Sequence, residues 1–307
     1  MSLESFNIGY RSAETYETML PPHFYGGVED VDIVAGIMRD VYGPHVPGAA
    51  GLRILDLGCG PGRVTEVLAP YASDLHGTDK SEGMVRQFAA TFPGAKATVG
   101  DTESVVAALL GSGHAGTYDV VGSFWSMSYP LLECFEETGA DGVFVVGERD
   151  AGVQRAERIV DGLTRLLGEN GNLVMMFFDA SSAEQQLVTS LWERVAPFPG
   201  TGRDYTWRLL EEGLQGAERK GRGSLTTSRL SGVAVAADAA AARDWFLIGH
   251  LNSFPDLIND PEVVAEIDEF AARHTGADGR VFIPSGVHVV HFRAGKGPAD
   301  HLPSAAE

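Results

Sequence analysis

Asp56 stands in a short apolar run, Leu52 to Leu57, that breaks into glycines at alternate positions, Gly58, Gly60 and Gly62. A helix-like segment begins at once, at Arg63. A strand, a tight turn and a helix N-terminus in this order bring a nucleotide-like ligand against bare backbone. Two more acids fall at comparable places. Asp79 closes the next apolar run in LHGTDKSEGM, where a carboxylate can accept both hydroxyls of a ribose. Asp101 follows the third, in VGDTE. The glycines are spaced GxGxG, and Arg63 stands where a dinucleotide fingerprint has its last glycine. An acid just ahead of the turn repels a pyrophosphate and suits a ligand that carries an ammonium group.

These acids need successive strand ends on one edge of a sheet. Strand signals over Arg53–Leu57, Asp74–Thr78, Ala95–Val99, Tyr118–Ser123 and Asn172–Phe178 alternate with helical ones over Arg63–Ala69, Ser81–Thr91, Thr102–Leu110 and Ala151–Leu167. Such alternation predicts an α/β fold, a Rossmann-like parallel sheet covered by helices on both faces. Ahead of it, Val31–Val41 is amphipathic, with Glu29, Asp30 and Asp32 read as charges that suit a helix N-terminus. Residues 131–149 form an insertion. Beyond residue 180 a helix over Ala183–Val195, strand-like pieces at Tyr205–Leu210 and Ser224–Ala236, helices over Ala237–Leu251 and Pro261–Ala272, and one or two strands in Arg280–Arg293 are expected. The expected division is a helical N-terminal cap over residues 1–50, a ligand-binding domain over 51–180 and 237–294, an inserted lid over 181–236, and a flexible tail over 295–307.

The Asp56–Gly62 run resembles motif I of the class I S-adenosylmethionine-dependent methyltransferases, and Asp79-Lys80-Ser81 with Met84 resembles their D-x-S-x-x-M run. The resemblance implies a seven-stranded sheet with an inserted lid and S-adenosylmethionine as methyl donor. Asp79 would hold the ribose, Met84 would lie at the adenine face, and Asp101 would meet the adenine amino group beside the Thr102 N–H. The strand YDVVGSFWSMSYP resembles motif IV, whose loop faces the reacting methyl; here that loop holds Phe124, Trp125, Ser126 and Tyr129. It is similar to the loop of small-molecule amine methyltransferases, above all those acting on nucleotide-linked amino sugars. Ala13-Glu14-Thr15-Tyr16-Glu17 is similar to their N-terminal A-x-x-Y-D segment, whose tyrosine lies over the donor, and PSGVHVVHF is weakly similar to their last strand. The donor site so implied comprises Tyr16, Asp56, Gly58, Cys59, Gly60, Gly62, Asp79, Lys80, Met84, Gly100, Asp101, Thr102, Ser123, Phe124 and Trp125.

Transfer from a sulfonium needs mainly a nucleophile held on the methyl axis. The candidates beside it are His23, Tyr25, Trp125, Ser126, Tyr129 and His250 for the acceptor pocket, and Tyr16, Tyr129 and His250 for catalysis. His288 and His291, three apart on one strand, face opposite sides of it. Nitrogen is the first choice of acceptor atom, with oxygen and carbon open. A non-methylating S-adenosylmethionine-binding protein and an NAD-dependent oxidoreductase are the rivals of other kinds. A net charge of −19 disfavours nucleic acid and leaves a small molecule as the partner. Two cysteines outside any CxxC pair argue against a disulfide framework, and no metal site is expected. No run is long enough to span a bilayer and no signal peptide opens the chain, which places it in the cytoplasm. A homodimer is left open, and the Ala/Gly/Asp-rich composition suggests secondary metabolism.

Overall fold

The first strand after the amphipathic helix, Leu52–Leu57, is the hub of the sheet. In the computed structural model, which describes residues 19–46, 51–139, 142–145, 149–195, 203–252 and 254–295, Ile54, Leu55 and Leu57 have no exposed surface. A strand buried on both faces reads as a continuous apolar run. In chain order the strands are β1 (His23–Tyr25), β2 (Val28–Glu29), β3 (Leu52–Leu57), β4 (Ala72–Asp79), β5 (Lys96–Val99), β6 (Tyr118–Phe124), β7 (Glu136–Gly139), β8 (Gly142–Val145), β9 (Leu167–Phe178), β10 (Gly223–Ala236) and β11 (Val281–Ala294). Nine of them form one sheet in the order β2-β1-β10-β11-β9-β6-β3-β4-β5, and β7 and β8 pair as a separate hairpin.

From β5 to β9 the neighbours are parallel, and β11 then runs antiparallel between β9 and β10. The order reverses between β3 and β6. Ligands of open α/β sheets bind at such a reversal, outside the strands' C-terminal ends. The glycine turn follows β3, and the Trp125 loop follows β6. The topology therefore sets those two segments side by side.

Seven of the nine strands make the expected class I sheet, and the other two are the β1–β2 hairpin, added at the edge through β10. The N-terminal region was expected to be helical. Its helix, Asp30–Tyr42, buries Val34 and Met38 against Ile54, Val120, Val174 and Met176 on one face of the sheet. The helix Arg149–Leu166 covers the other face, against Leu55, Leu57, Leu173 and Met175. The described residues contain no helix long and apolar enough to cross a membrane.

Three local expectations change. Tyr205–Leu210 lies inside a helix, Arg203–Arg219, because Trp207, Leu210, Leu214 and Ala217 recur with helical spacing on its buried side. Ser224–Ala236, assigned to a lid, belongs to β10, whose fourteen residues pair with β11 along their whole length. The helix over Ala237–Leu251 is α-helical only over Ala239–Asp244 and continues as a π-helical turn, Trp245–His250. Arg280–Arg293 is one strand despite Pro284, since β11 pairs with β9 only from Val287 onward and Pro284 has β10 alone beside it.

Candidate active site

Gly58, Gly60 and Gly62 all hold positive φ, at 72°, 54° and 110°. Their surroundings differ. A Cβ at Gly58 would come within 2.5 Å of Ser126 Oγ, whereas one at Gly60 would meet nothing within 4 Å. Gly58 thus allows the β6 loop to pack onto the turn, and Gly60 presents bare backbone to open space. Ser126 fastens the contact: its hydroxyl donates to the Leu57 carbonyl at 2.8 Å and lies 2.7 Å from Ser123 Oγ. The Gly58 and Cys59 N–H groups both donate to the Thr78 carbonyl, tying the turn to the end of β4. Cys59 is buried beside it, its thiol directed at the Gly60 carbonyl.

The three acids, at the ends of β3 and β4 and just past β5, are in different states. Asp56 is buried; its Oδ2 accepts from Thr65 Oγ1 at 2.6 Å, and its Oδ1 has no hydrogen-bond partner among the described residues. Burial, only partly offset by Thr65, pushes its pKa up to about 6. Asp79 Oδ2 accepts the Gly60 N–H at 3.0 Å and Oδ1 the Ser81 N–H at 2.9 Å. Each oxygen keeps a further lone pair. Burial raises the Asp79 pKa as well. Asp101 is exposed and caps the helix Thr102–Gly111 by accepting the Ser104 N–H at 2.8 Å. Nearby, the Gly100 N–H donates to the Asp79 carbonyl, Met84 is buried in the helix after β4, and Lys80 pairs with Glu133.

An S-adenosylmethionine fits these groups. The orphaned buried Oδ1 of Asp56 can serve an ammonium through a water, the open Gly60 backbone gives room, and the spare lone pairs of Asp79 can take two hydroxyls. Of the positions expected to hold the donor, the Asp56–Gly62 turn, Asp79 and Asp101 stand at the C-terminal ends of the neighbouring strands β3, β4 and β5. Tyr16 lies outside the described residues.

Across β6 the site turns aromatic. Trp125 has a φ of 61°, a costly conformation for a residue with a side chain, found where packing over-determines it. Here its N–H donates to the Met176 carbonyl and its indole Nε1 to Asp30 Oδ2 at 2.8 Å. Asp30, read from sequence as a helix-start charge, is fully buried and bridged by both terminal nitrogens of Arg63. Burial would raise its pKa, but Arg63 and the indole hold it below the usual range.

His23 lies beside Trp125, at 5.4 Å between ring centroids, and 5.6 Å from Trp245. Tyr25 stacks on Trp125 at 6.0 Å and on His23 at 6.5 Å, so the three rings form one cluster. The His23 Nδ1 lies 2.7 Å from the Pro21 carbonyl, which assigns the proton to that nitrogen. Its Nε2 is buried without a partner among the described residues, and burial depresses the ring's pKa.

Beyond Trp245 lies a buried polar chain of which the sequence pointed only to His250 and Tyr129. Glu184 has no exposed surface and accepts from Trp245 Nε1 at 2.6 Å and Ser285 Oγ at 2.8 Å. His250 Nε2 is 3.3 Å from the same carboxylate, and its Nδ1 is 3.4 Å from Arg203 Nη1. Burial drives the His250 pKa down to about 4, so the ring is neutral, while its own hydrogen bonds keep Glu184 ionised against burial. Both nitrogens of His250 are thus engaged inside the protein. Tyr129 joins this chain, its phenol oxygen accepting from Arg203 Nη2 at 3.0 Å. His288 stacks on Trp207 at 3.9 Å, and His291 meets Asn172 Oδ1 at 2.8 Å; neither is in this chain. Glu184, Gln185 and Arg203 carry no motif, and only their burial marks them.

Residues 54–146 match the family model described as a methyltransferase domain. Among solved structures, a protein from Bacillus halodurans assigned as a methyltransferase superposes with a TM-score of 0.50 at 15% identity, over 87% of this chain and 99% of its own. The YcgJ protein of Bacillus subtilis gives a TM-score of 0.49 at 13% identity, over 87% of this chain and 100% of its own. No curated protein matches the chain in sequence. The fold is that of the class I methyltransferases, and the matched domain implies S-adenosylmethionine as the methyl donor.

Proposed function

We propose, on the premise that this chain is an S-adenosylmethionine-dependent methyltransferase, that it methylates a nitrogen atom of a small molecule, in secondary metabolism. The observation that carries the nitrogen reading is the pairing of two indoles with two buried carboxylates around His23. Trp125 donates to Asp30 and Trp245 to Glu184. An N–H given to an anion makes the ring face richer in electrons, and rich faces hold cations. The amine of an acceptor, and the methylated ammonium it becomes, is the cation such a wall suits.

S-adenosylmethionine, when bound, supplies a sulfonium-activated methyl group. Asp79 would hold its ribose, Asp56 its ammonium, and the Gly58–Gly62 turn its backbone-facing side, with Asp101 and Thr102 at the base. The protein's own share is placement, exclusion of water and the handling of one proton. Asp30 and Arg63 lock Trp125 in its strained conformation at the end of β6. The His23 Nε2 lone pair, kept neutral by burial, can accept the proton that the acceptor nitrogen must lose. The buried charges of Glu184 and Asp30 then favour the protonated ring.

The test is a labelled-methyl transfer assay with amines, phenols and thiols of matched size. Label on nitrogen is expected. Replacing His23 with Gln should lower kcat by about a hundredfold and flatten its fall below neutral pH. Label recovered only on oxygen or carbon would overturn the reading.

A further inference from the structure

Arg203 is the largest fully buried side chain among the described residues, and its hydrogen-bonding contacts are neutral groups. Its Nη1 donates to Gln185 Oε1 and approaches His250 Nδ1, and its Nη2 donates to Tyr129. Its Cζ lies 4.1 Å from the centroid of Phe178, 5.0 Å from Trp192 and 5.2 Å from Tyr129. No carboxylate pairs with it among the described residues; Glu136 feels its charge, but burial pushes that carboxyl up to about 7. A guanidinium buried in this way is costly unless an anion completes it.

The unfilled atoms around it are all donors. Arg203 Nε, Gln185 Nε2 and Trp192 Nε1 are each buried with no acceptor among the described residues. Gln185 is itself fully buried, and its amide oxygen is already held by Arg203. Trp192 and Tyr129 are half-buried, so the guanidinium lies one side chain beneath the surface. Phe178 links the group to the proposed reaction centre: its ring contacts both Arg203 and, at 4.9 Å, Trp125.

We propose that Arg203, Gln185 and Trp192 form a subsite for a carboxylate on the methyl acceptor, which makes the substrate an amine that carries a carboxylate. The proposal rests on the methyl-transfer reading for its place in the reaction. One cation among neutral donors and aromatic rings matches a planar monoanion in charge and shape. The adjoining Glu184 carboxylate, one ring away through His250, disfavours a dianion.

The experiment uses the full chain saturated with S-adenosylhomocysteine, with benzoate, benzamide and inorganic phosphate as probes in calorimetric titrations. Benzoate should bind at least about tenfold more tightly than benzamide and resist displacement by phosphate. Gln185→Glu, nearly isosteric, would hand Arg203 an internal carboxylate and should weaken benzoate about tenfold or more. Arg203→Met should do the same, and Trp192→Phe, which keeps a ring and loses the N–H, should weaken it several-fold. Benzoate no better than benzamide on the unmodified chain, or equal competition by phosphate, would overturn the carboxylate subsite whatever the variants do. Unchanged benzoate affinity in folded Gln185→Glu would overturn it as well. A parallel titration with S-adenosylmethionine separates the two ideas. Donor binding without a benzoate preference refutes only the subsite, whereas absent donor binding refutes the methyl-transfer reading itself.

Discussion

Gly58→Ala and Gly60→Ala make the same chemical change two residues apart, and the structure predicts different outcomes. Both place a Cβ on a backbone at positive φ, which costs about 1–2 kcal/mol, less about 0.4–1 kcal/mol from the stiffer unfolded chain. At Gly60 that is the whole stability effect, since the new methyl meets open space. At Gly58 it also collides with Ser126, and overpacking adds about 1–3 kcal/mol. Gly58→Ala should therefore lower stability in urea titrations by about 2–4 kcal/mol and Gly60→Ala by about 1 kcal/mol or less. The order reverses for the ligand. The methyl at Gly60 occupies space that a donor must use, so calorimetry should show the larger loss of S-adenosylmethionine affinity for Gly60→Ala. Combining Gly58→Ala with Ser126→Gly should recover about 1–2 kcal/mol of the expected sum, because the colliding atoms are gone. Equal destabilisation by the two single changes, or strict additivity in the double variant, would refute the assignment of Gly58 to loop packing and Gly60 to the ligand.

Asp79→Ala should weaken S-adenosylmethionine binding by at least about tenfold, since it removes a charged acceptor for the ribose and also unties Gly60; unchanged affinity in a titration would count against Asp79 as the ribose group. The pH dependence of stability should show two opposed contributions. His250, held near 4 against 6.5 when unfolded, contributes stability that is full above about 6.5 and is lost as pH falls toward 4, about 3 kcal/mol in all. Asp56, raised to about 6 from 3.8, contributes stability that is full below 3.8 and is lost as pH rises through 6. Asp56→Asn removes the second contribution, so urea titrations of that variant should fall more steeply between pH 6.5 and 4 than those of the unmodified chain. Asp30→Ala should cost about 2 kcal/mol or more, because it frees the Trp125 indole and Arg63 together; a near-neutral effect in urea titration would show that Trp125 is held by other contacts.

The proposed donor half of the site was legible in the chain because its determinants are local. A buried parallel strand must be apolar, a sharp turn against a ligand must be glycine, and a helix start wants an acid or a serine, so Leu52–Gly62 and Asp79–Met84 announce themselves within a dozen residues. The first five parallel strands followed from the same periodicity. Beyond residue 180 the pattern misled where helix and strand periods coincide over a few residues, as in Tyr205–Leu210, and where a long antiparallel strand of the main sheet was assigned to a lid, as in β10.

By itself, the sequence pointed to a class I methyltransferase sheet and to the groups proposed to hold its methyl donor. The proposed acceptor half took shape only in three dimensions. Asp30 looked like a helix-start charge until Arg63 and Trp125 closed around it, and Glu184, Gln185 and Arg203, which no motif marks, come from two separate helices into one dry chain with His250. Burial is a property of what packs over a residue, and no local spacing encodes it. An apolar strand states its own environment, whereas a buried charge takes its meaning from partners the chain brings from elsewhere.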